Sequence, residues 1–342
     1  MLGDSIARYD GERHVTGTTV FIDDVRYPGM LHVRPLVSPH ANARILAIRL
    51  DKAQALPGVR LILTSRDIPN NRFGGAGDHH LFADGFVRYV GQLIAAVVAE
   101  DKATAEKAAG LIEVDYEILP AVFDCLEAMA EGAPQVREHG NVFKLSQTGQ
   151  RKIRIGDVEA GFAQADYIFE DHFVSQVQAH AFLETHVGVA AFDERARLIV
   201  HTTGQSIHWI RSPLAHILQI PEDKIRVVGG IVGGGFGGKS DISVEPVVAL
   251  AALKTGRPVK WRWTFKEELR LPTVRGGFHL SYKTGVKKDG TITARSVKSI
   301  QDIGAFCYRG NRSLDRQGTV AGGPYRLPNY WFDGWAVHTN KV

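Results

Sequence analysis

Cysteine is nearly absent from this chain, with only Cys125 and Cys307 among 342 residues. The two stand far apart in apolar or aromatic settings, and neither belongs to a C-x-x-C pair. The chain therefore offers no recognisable iron–sulfur or zinc site of its own. Buried free thiols in a reducing compartment are the expected state. Runs of lysine and arginine are also missing. The net charge of +4 is spread over interspersed signs, so electrostatics gives little reason to expect nucleic acid or a membrane surface as partner. No window approaches the length of a membrane-spanning apolar segment, and Met1-Leu2-Gly3-Asp4-Ser5 has no basic stretch leading into an apolar one. The cytoplasm is the expected location. What remains is an ordinary globular composition, 44% hydrophobic and 23% charged, long enough for two domains with separate cores.

The first 125 residues alternate short strands and helices. Gly29 to Arg34 and Val59 to Thr64 read as strands, and Asp51 to Leu56 as a short helix closed by Pro57-Gly58. Gln92 to Ala99 is a buried strand, after which Asp101 caps an alanine-rich helix through Ala109. His32 and His40 stand alone and are expected to be surface or packing residues. Positions 126–155, with Gly132, Pro134, Gly140 and Gly149, read as a linker. Beyond it, Asp157 is positioned to cap a helix running to Ala165, and Tyr167 to Gln176 and Val187 to Ala191 are strand-like. Leu198 to Thr203 then leads through Gly204-Gln205 into a helical pattern over Ser206 to Gln219. A second such unit follows: strand Ile225 to Val232, a glycine loop, and a helix from about Ser243 to Leu253 with Gly256 past its end. Two strand–loop–helix units side by side would bring Gln205 and Phe236 to one rim. The last third reads as a β-meander, its strongest turn at Asp289-Gly290.

Glycine is abundant where cysteine is scarce, and seven glycines fall between Gly229 and Gly238. A loop with so few Cβ atoms exposes its amide N–H groups to a bulky anionic or oxo ligand. Three patterns claim it. Gly233-x4-Gly238-Lys239-Ser240 matches a P-loop, Gly233-x-Gly235-x-x-Gly238 matches a dinucleotide fingerprint, and the whole can be a loop of a third kind. Context opposes the first two. No later apolar strand ends in an Asp for Mg²⁺, and no acidic residue follows at the dinucleotide spacing, where Trp261-Arg262-Trp263 stands instead.

Gly233-Gly234-Gly235-Phe236-Gly237-Gly238-Lys239 resembles the signature loop of the molybdopterin-binding subunits of the xanthine dehydrogenase and aldehyde oxidase family, the molybdenum hydroxylases. Pro28-Gly29-Met30-Leu31-His32, Tyr89-Val90-Gly91-Gln92 and Val114-Asp115-Tyr116-Glu117 resemble the small N-terminal domain of those subunits. Glu184-Thr185-His186, Thr203-Gly204-Gln205, Ile303-Gly304-Ala305-Phe306 and Tyr325-Arg326-Leu327-Pro328-Asn329 continue the likeness in order. The resemblance implies an α+β fold: a small α/β hammerhead-type domain over 1–125, a linker over 126–155, and the first half of a molybdenum-cofactor-binding domain over 156–342.

The resemblance also implies a chemistry, water-derived hydroxylation of a purine- or nicotinate-like N-heterocycle or an aldehyde at a molybdenum held by molybdopterin, in the cytosine dinucleotide form. No side chain is expected to ligate the metal. Gln205 matches the glutamine that hydrogen-bonds a metal oxo group, and Phe236, flanked by Gly234, Gly235 and Gly237, matches the residue whose backbone N–H does the same. Ser240 stands where xanthine-oxidising members carry a glutamate, and Arg316, 13 residues before Asn329, matches the substrate-facing arginine of the purine enzymes. The family's general-base glutamate has no counterpart in this sequence; the resemblance implies either one half of a subunit divided between two chains, with the glutamate on a second molybdopterin-binding chain, or a truncated product, inactive alone in both cases. The 2Fe-2S clusters and FAD are expected on partner subunits.

Overall fold

The computed structural model describes residues 3–74, 77–144, 150–271 and 273–342. Met1-Leu2 and Gly149, used in the sequence reading, lie outside the described residues. Fourteen main strands carry the architecture. The first five are β1 (Leu31–Val37), β2 (Ala43–Arg49), β3 (Val59–Leu63), β4 (Leu93–Ala99) and β5 (Glu113–Ile118). β6 (Arg151–Ile155), β7 (Tyr167–Ser175), β8 (Val187–Phe192), β9 (Leu198–Thr202) and β10 (Ile225–Gly229) follow. β11 (Val259–Arg262), β12 (Phe278–Val286), β13 (Ile292–Asp302) and β14 (Tyr330–Val337) complete the set. The main helices are α1 (Lys102–Ala109), α2 (Val158–Ala163), α3 (Ile207–Leu218), α4 (Glu245–Thr255) and α5 (Gly310–Val320).

A seven-stranded sheet in the order β10-β9-β8-β11-β1-β4-β3 forms the centre. It spans the boundary expected at 126–155, because β1 pairs in parallel with β11, Leu31 against Val259. β4 is buried along its whole length. Its Ala95, Val97 and Ala99 pack with Ala105 and Ala108 of α1, while Ala96 and Val98 join the cluster formed with α3 and α4. A strand covered on both faces needs no polar alternation, which is why it reads as an uninterrupted apolar run. Asp101 caps α1 and Asp157 caps α2 by accepting backbone N–H groups, as expected.

The second sheet runs β7-β12-β13-β14-β6. β12 and β13 form the hairpin signalled by Asp289-Gly290, with Gly290 at φ +87°. The expected meander fails beyond it. α5 intervenes and returns the chain so that β14 lies parallel to β13. β6, inside the expected linker, pairs with β14 at the edge of this sheet.

Candidate functional site

β9 and β10 lie in parallel register, Leu198 against Ile225 through Thr202 against Gly229. Both strands thus deliver their following loops to one rim, and each loop feeds a helix, α3 or α4. Loops at the carboxyl ends of parallel strands are where α/β sheets commonly hold ligands. Buried Glu245 at the start of α4 ties the two units together. It accepts a hydrogen bond from Thr202 Oγ1, and its Oε2 accepts the Ser243 N–H at 2.7 Å.

Gln205 sits at this rim, as the strand–loop–helix pattern predicted. Its N–H donates to the Lys239 carbonyl at 2.8 Å. Its Oε1 accepts the N–H groups of Gly237 at 3.0 Å and Lys239 at 3.3 Å. Two converging N–H donors require an acceptor, so the amide orientation is fixed and Nε2 keeps its hydrogens for something else. Gly235 makes this approach possible, because a Cβ there would fall 2.6 Å from Gln205 Oε1.

Phe236 is the strained residue of the loop, at φ +47°, and is 73% exposed. A left-handed aromatic costs about 1–2 kcal/mol, and within this chain no burial of the ring offsets it. Among the described residues, the N–H groups of Gly234, Gly235 and Phe236 donate no hydrogen bond. With Gln205 Nε2 they leave a set of donors and no carboxylate. Such a set suits an electron-rich oxo or phosphate ligand.

Lys239 decides between the loop's competing patterns. In a P-loop this lysine must reach the nucleotide phosphates. Here it is fully buried, its Nζ donating to the Glu184 carbonyl at 2.6 Å and to Glu184 Oε2 at 3.0 Å, 4.4 Å from the centre of the Phe182 ring. The same carboxylate oxygen accepts the Gly233 N–H at 2.8 Å. Desolvation draws the Lys239 pKa down, opposed by the Glu184 charge. The lysine is a strut beneath the loop, and the P-loop alternative fails. Glu184-Thr185-His186 carries the family likeness in the sequence, but nothing local ties Glu184 to the loop; the available signal is that a lysine destined for burial needs a counter-charge.

The structure places Ser240 and Arg316 on one cavity. Both line a cavity of about 400 Å³ that also receives Phe236, Gly237, Arg275 and Tyr308. Gln205 does not line it, but the Gly237 whose N–H it holds does. Most charges in the cavity are already spent. Arg309 Nε lies 2.8 Å from Asp241 and Lys341 Nζ 2.9 Å from Asp302. Desolvation raises the Asp241 pKa against the pull of Arg309. Among the described residues the guanidinium groups of Arg275 and Arg316 have no carboxylate partner. The cavity is therefore left with uncompensated positive charge.

His79, unnoticed in the sequence, also lines this cavity, its ring within 4.5–4.7 Å of those of Phe73, Phe306 and Tyr308. Desolvation pushes its pKa down to about 3. The folded pKa lies below the ordinary 6.5, so the unfolded chain binds the proton first. Stability then falls as pH drops from about 6.5 toward 3, by up to about 1.4 kcal/mol per pH unit for this one group. His338, buried with a pKa near 4, adds to the same slope. Urea midpoints between neutral and mildly acidic pH should show the decline, and His79→Phe should flatten it; an unchanged slope would place its origin elsewhere.

Comparison with known proteins agrees with this geometry. Residues 138–342 match the molybdopterin cofactor-binding domain, and residues 16–120 match the aldehyde oxidase and xanthine dehydrogenase a/b hammerhead domain. The chain is 37% identical over 339 residues to a probable xanthine dehydrogenase subunit from Bacillus subtilis (strain 168), covering 98% of this chain and 45% of that protein. It is 33% identical over 343 residues to the nicotinate dehydrogenase large molybdopterin subunit of Eubacterium barkeri, covering 100% of this chain and 80% of the relative. Among solved structures, the aldehyde oxidoreductase of Desulfovibrio gigas superposes with a TM-score of 0.94 at 29% identity, over 99% of this chain and 39% of the other. Quinoline 2-oxidoreductase of Pseudomonas putida 86 gives 0.90 at 32% identity, over 99% and 45%. The chain thus spans less than half the length of several proteins it matches.

Proposed function

This chain belongs to the molybdopterin-binding subunits of the aldehyde oxidase and xanthine dehydrogenase family, and from that premise we propose that it walls one side of a molybdenum hydroxylase site for an anionic N-heterocycle. The observation that carries the reading is the convergence of Gln205 with the unengaged N–H groups at Phe236. These donors fit oxo groups of a molybdenum–pterin, and Lys239 and Glu184 brace the loop that presents them. The molybdenum centre, when bound, would supply oxygen insertion from water and accept the hydride. This chain's own share is to orient the centre, through Gln205, Gly234, Gly235, Phe236 and Gly237, and to receive the substrate beside it.

Arg316 and Arg275 would anchor a carboxylate or an electron-rich ring edge, and Ser240 offers a hydroxyl where a glutamate would repel an anion. An aldehyde would need neither cation. Asp241 and Asp302 are held in ion pairs, so the base that takes the proton given up by the attacking water-derived oxygen would come from outside these residues; a second molybdopterin-binding chain is the proposed source. Buried Cys125 and Cys307 cannot hold a cluster; iron–sulfur and FAD subunits would carry the electrons away. The cytosine dinucleotide form of the cofactor and a cytoplasmic location complete the proposal. For location, the support is that among the described residues no helix is long and apolar enough to cross a membrane, together with the two free thiols.

Arg316→Met tests the substrate class. In the assembled enzyme, KM for an N-heterocyclic carboxylate should rise roughly 10- to 100-fold, the worth of a charge-assisted hydrogen bond, while oxidation of a neutral aldehyde is spared. Equal effects on both would remove the arginine from substrate recognition.

A further inference from the structure

Trp261 and Trp263 lie on and just past β11, two residues apart, so that both rings fall on one face of the strand. They meet edge-on at 5.8 Å. The Trp263 N–H donates to the His186 carbonyl at 3.0 Å, and its own carbonyl accepts Thr185 Oγ1 at 2.6 Å. Both tryptophans are buried. Together with Ser243, His79, His186 and Gly238 of the glycine loop they line a chamber of about 50 Å³.

An indole N–H can only donate. Among the described residues those of Trp261 and Trp263 find no acceptor, and two more buried atoms of the same wall, Ser243 Oγ and His79 Nδ1, have no protein partner either. Unpartnered polar atoms are costly inside a protein, and four around one small space call for a guest that both accepts and donates hydrogen bonds. At roughly 10–15 Å³ for each water, the chamber has room for about three. Water also suits the set better than an anion does. Burial holds the His79 pKa near 3, so its ring stays neutral and keeps an acceptor nitrogen that an anion could not satisfy.

His79, Tyr89, Asp241, Leu271, Thr273 and Tyr308 line both this chamber and the cavity that holds Ser240 and Arg316. Apart from Tyr89 these shared residues are half-buried, while the two tryptophans and His186 are buried, so the chamber communicates with that cavity. We infer that the chamber holds a small cluster of water and keeps it within reach of the proposed hydroxylation. The supply role rests on the hydroxylase reading; the hydration of the chamber does not. Hydroxylation breaks a substrate C–H bond, forms a C–O bond with the oxygen of one water, and releases two protons and two electrons, the electrons leaving through the proposed iron–sulfur and FAD subunits. A substrate beside Ser240 and Arg316 displaces water from its own cavity, and the chamber across the shared wall retains its own.

A crystal structure of the assembled enzyme, resolved well enough to place internal water, tests the occupancy. Ordered waters bonded to Trp261, Trp263 and Ser243 are expected, and a bromide soak should leave no anomalous peak in the chamber. Ser243→Val fills part of the space. It should lose waters and lower kcat roughly tenfold, about the worth of one hydrogen bond, with KM and molybdenum content unchanged. Trp263→Phe removes a donor without adding bulk and should act in the same direction, so the test stands even where Ser243→Val fails to fold. A dry chamber, a bromide peak inside it, or an unchanged kcat in a variant that has lost its waters would overturn the proposal. Ordered waters in a complex without molybdenum would instead refute the hydroxylase reading, and the supply role with it.

Discussion

Gln205→Ala should lower turnover of the molybdenum-loaded enzyme by roughly 10²- to 10³-fold, the usual loss when one preorganised donor is removed from a site of developing charge. Alanine also deletes the Oε1 that accepts the Gly237 and Lys239 N–H groups, so part of the loss would come from a loosened loop. Gln205→Glu separates the two effects. A glutamate keeps an acceptor for both loop amides but has no N–H left to offer. Thermal stability should then stay near wild type while turnover falls nearly as far as in the alanine variant. Full activity in Gln205→Glu would show that the side chain only positions the loop.

Lys239→Met should be the most destabilising single change in the site. It removes the cation and leaves Glu184, whose side chain is 13% exposed, facing an apolar thioether. Breaking one side of a buried ion pair costs roughly 3–5 kcal/mol, mainly because the remaining charge stays desolvated. Adding Glu184→Gln should recover much of that loss, since a neutral amide can still accept the Gly233 N–H. Urea unfolding of both single variants and the double variant measures the coupling. In the assembled enzyme the cofactor content should follow the same order, because the strut holds the loop proposed to face the pterin. A double variant no more stable than Lys239→Met alone would mean that the pair does not brace the loop.

Local chemistry made much of this architecture legible. Asp101 and Asp157 marked helix starts, Asp289-Gly290 marked a hairpin, and successive strand–loop–helix units placed Gln205 beside the glycine loop. Pairings between distant segments carried no such signal. Nothing in Leu31 or Val259 announces that they lie side by side, so the central sheet could not be seen to join strands from before and after the expected linker. α5 was missed for a different reason. Of its residues only Leu314 and Gly318 are buried, and Gly318 serves by letting Phe332 and Ile153 come close: a Cβ there would lie 3.0–3.1 Å from them. A glycine used as a packing surface does not register as an apolar position in a helical pattern. The loop itself was ambiguous because its competing motifs share residues. Resolving it required Glu184, which is remote in sequence and reaches Lys239 only through the fold.

The most direct measurement is the molybdenum and pterin content of the complex purified from its native source, with this chain's abundance determined in the same sample. Stoichiometric molybdenum with a pterin is the predicted result, reduced in Gly235→Ala, whose added Cβ displaces Gln205. A folded complex containing this chain and its partners but no molybdenum above background would contradict the assignment.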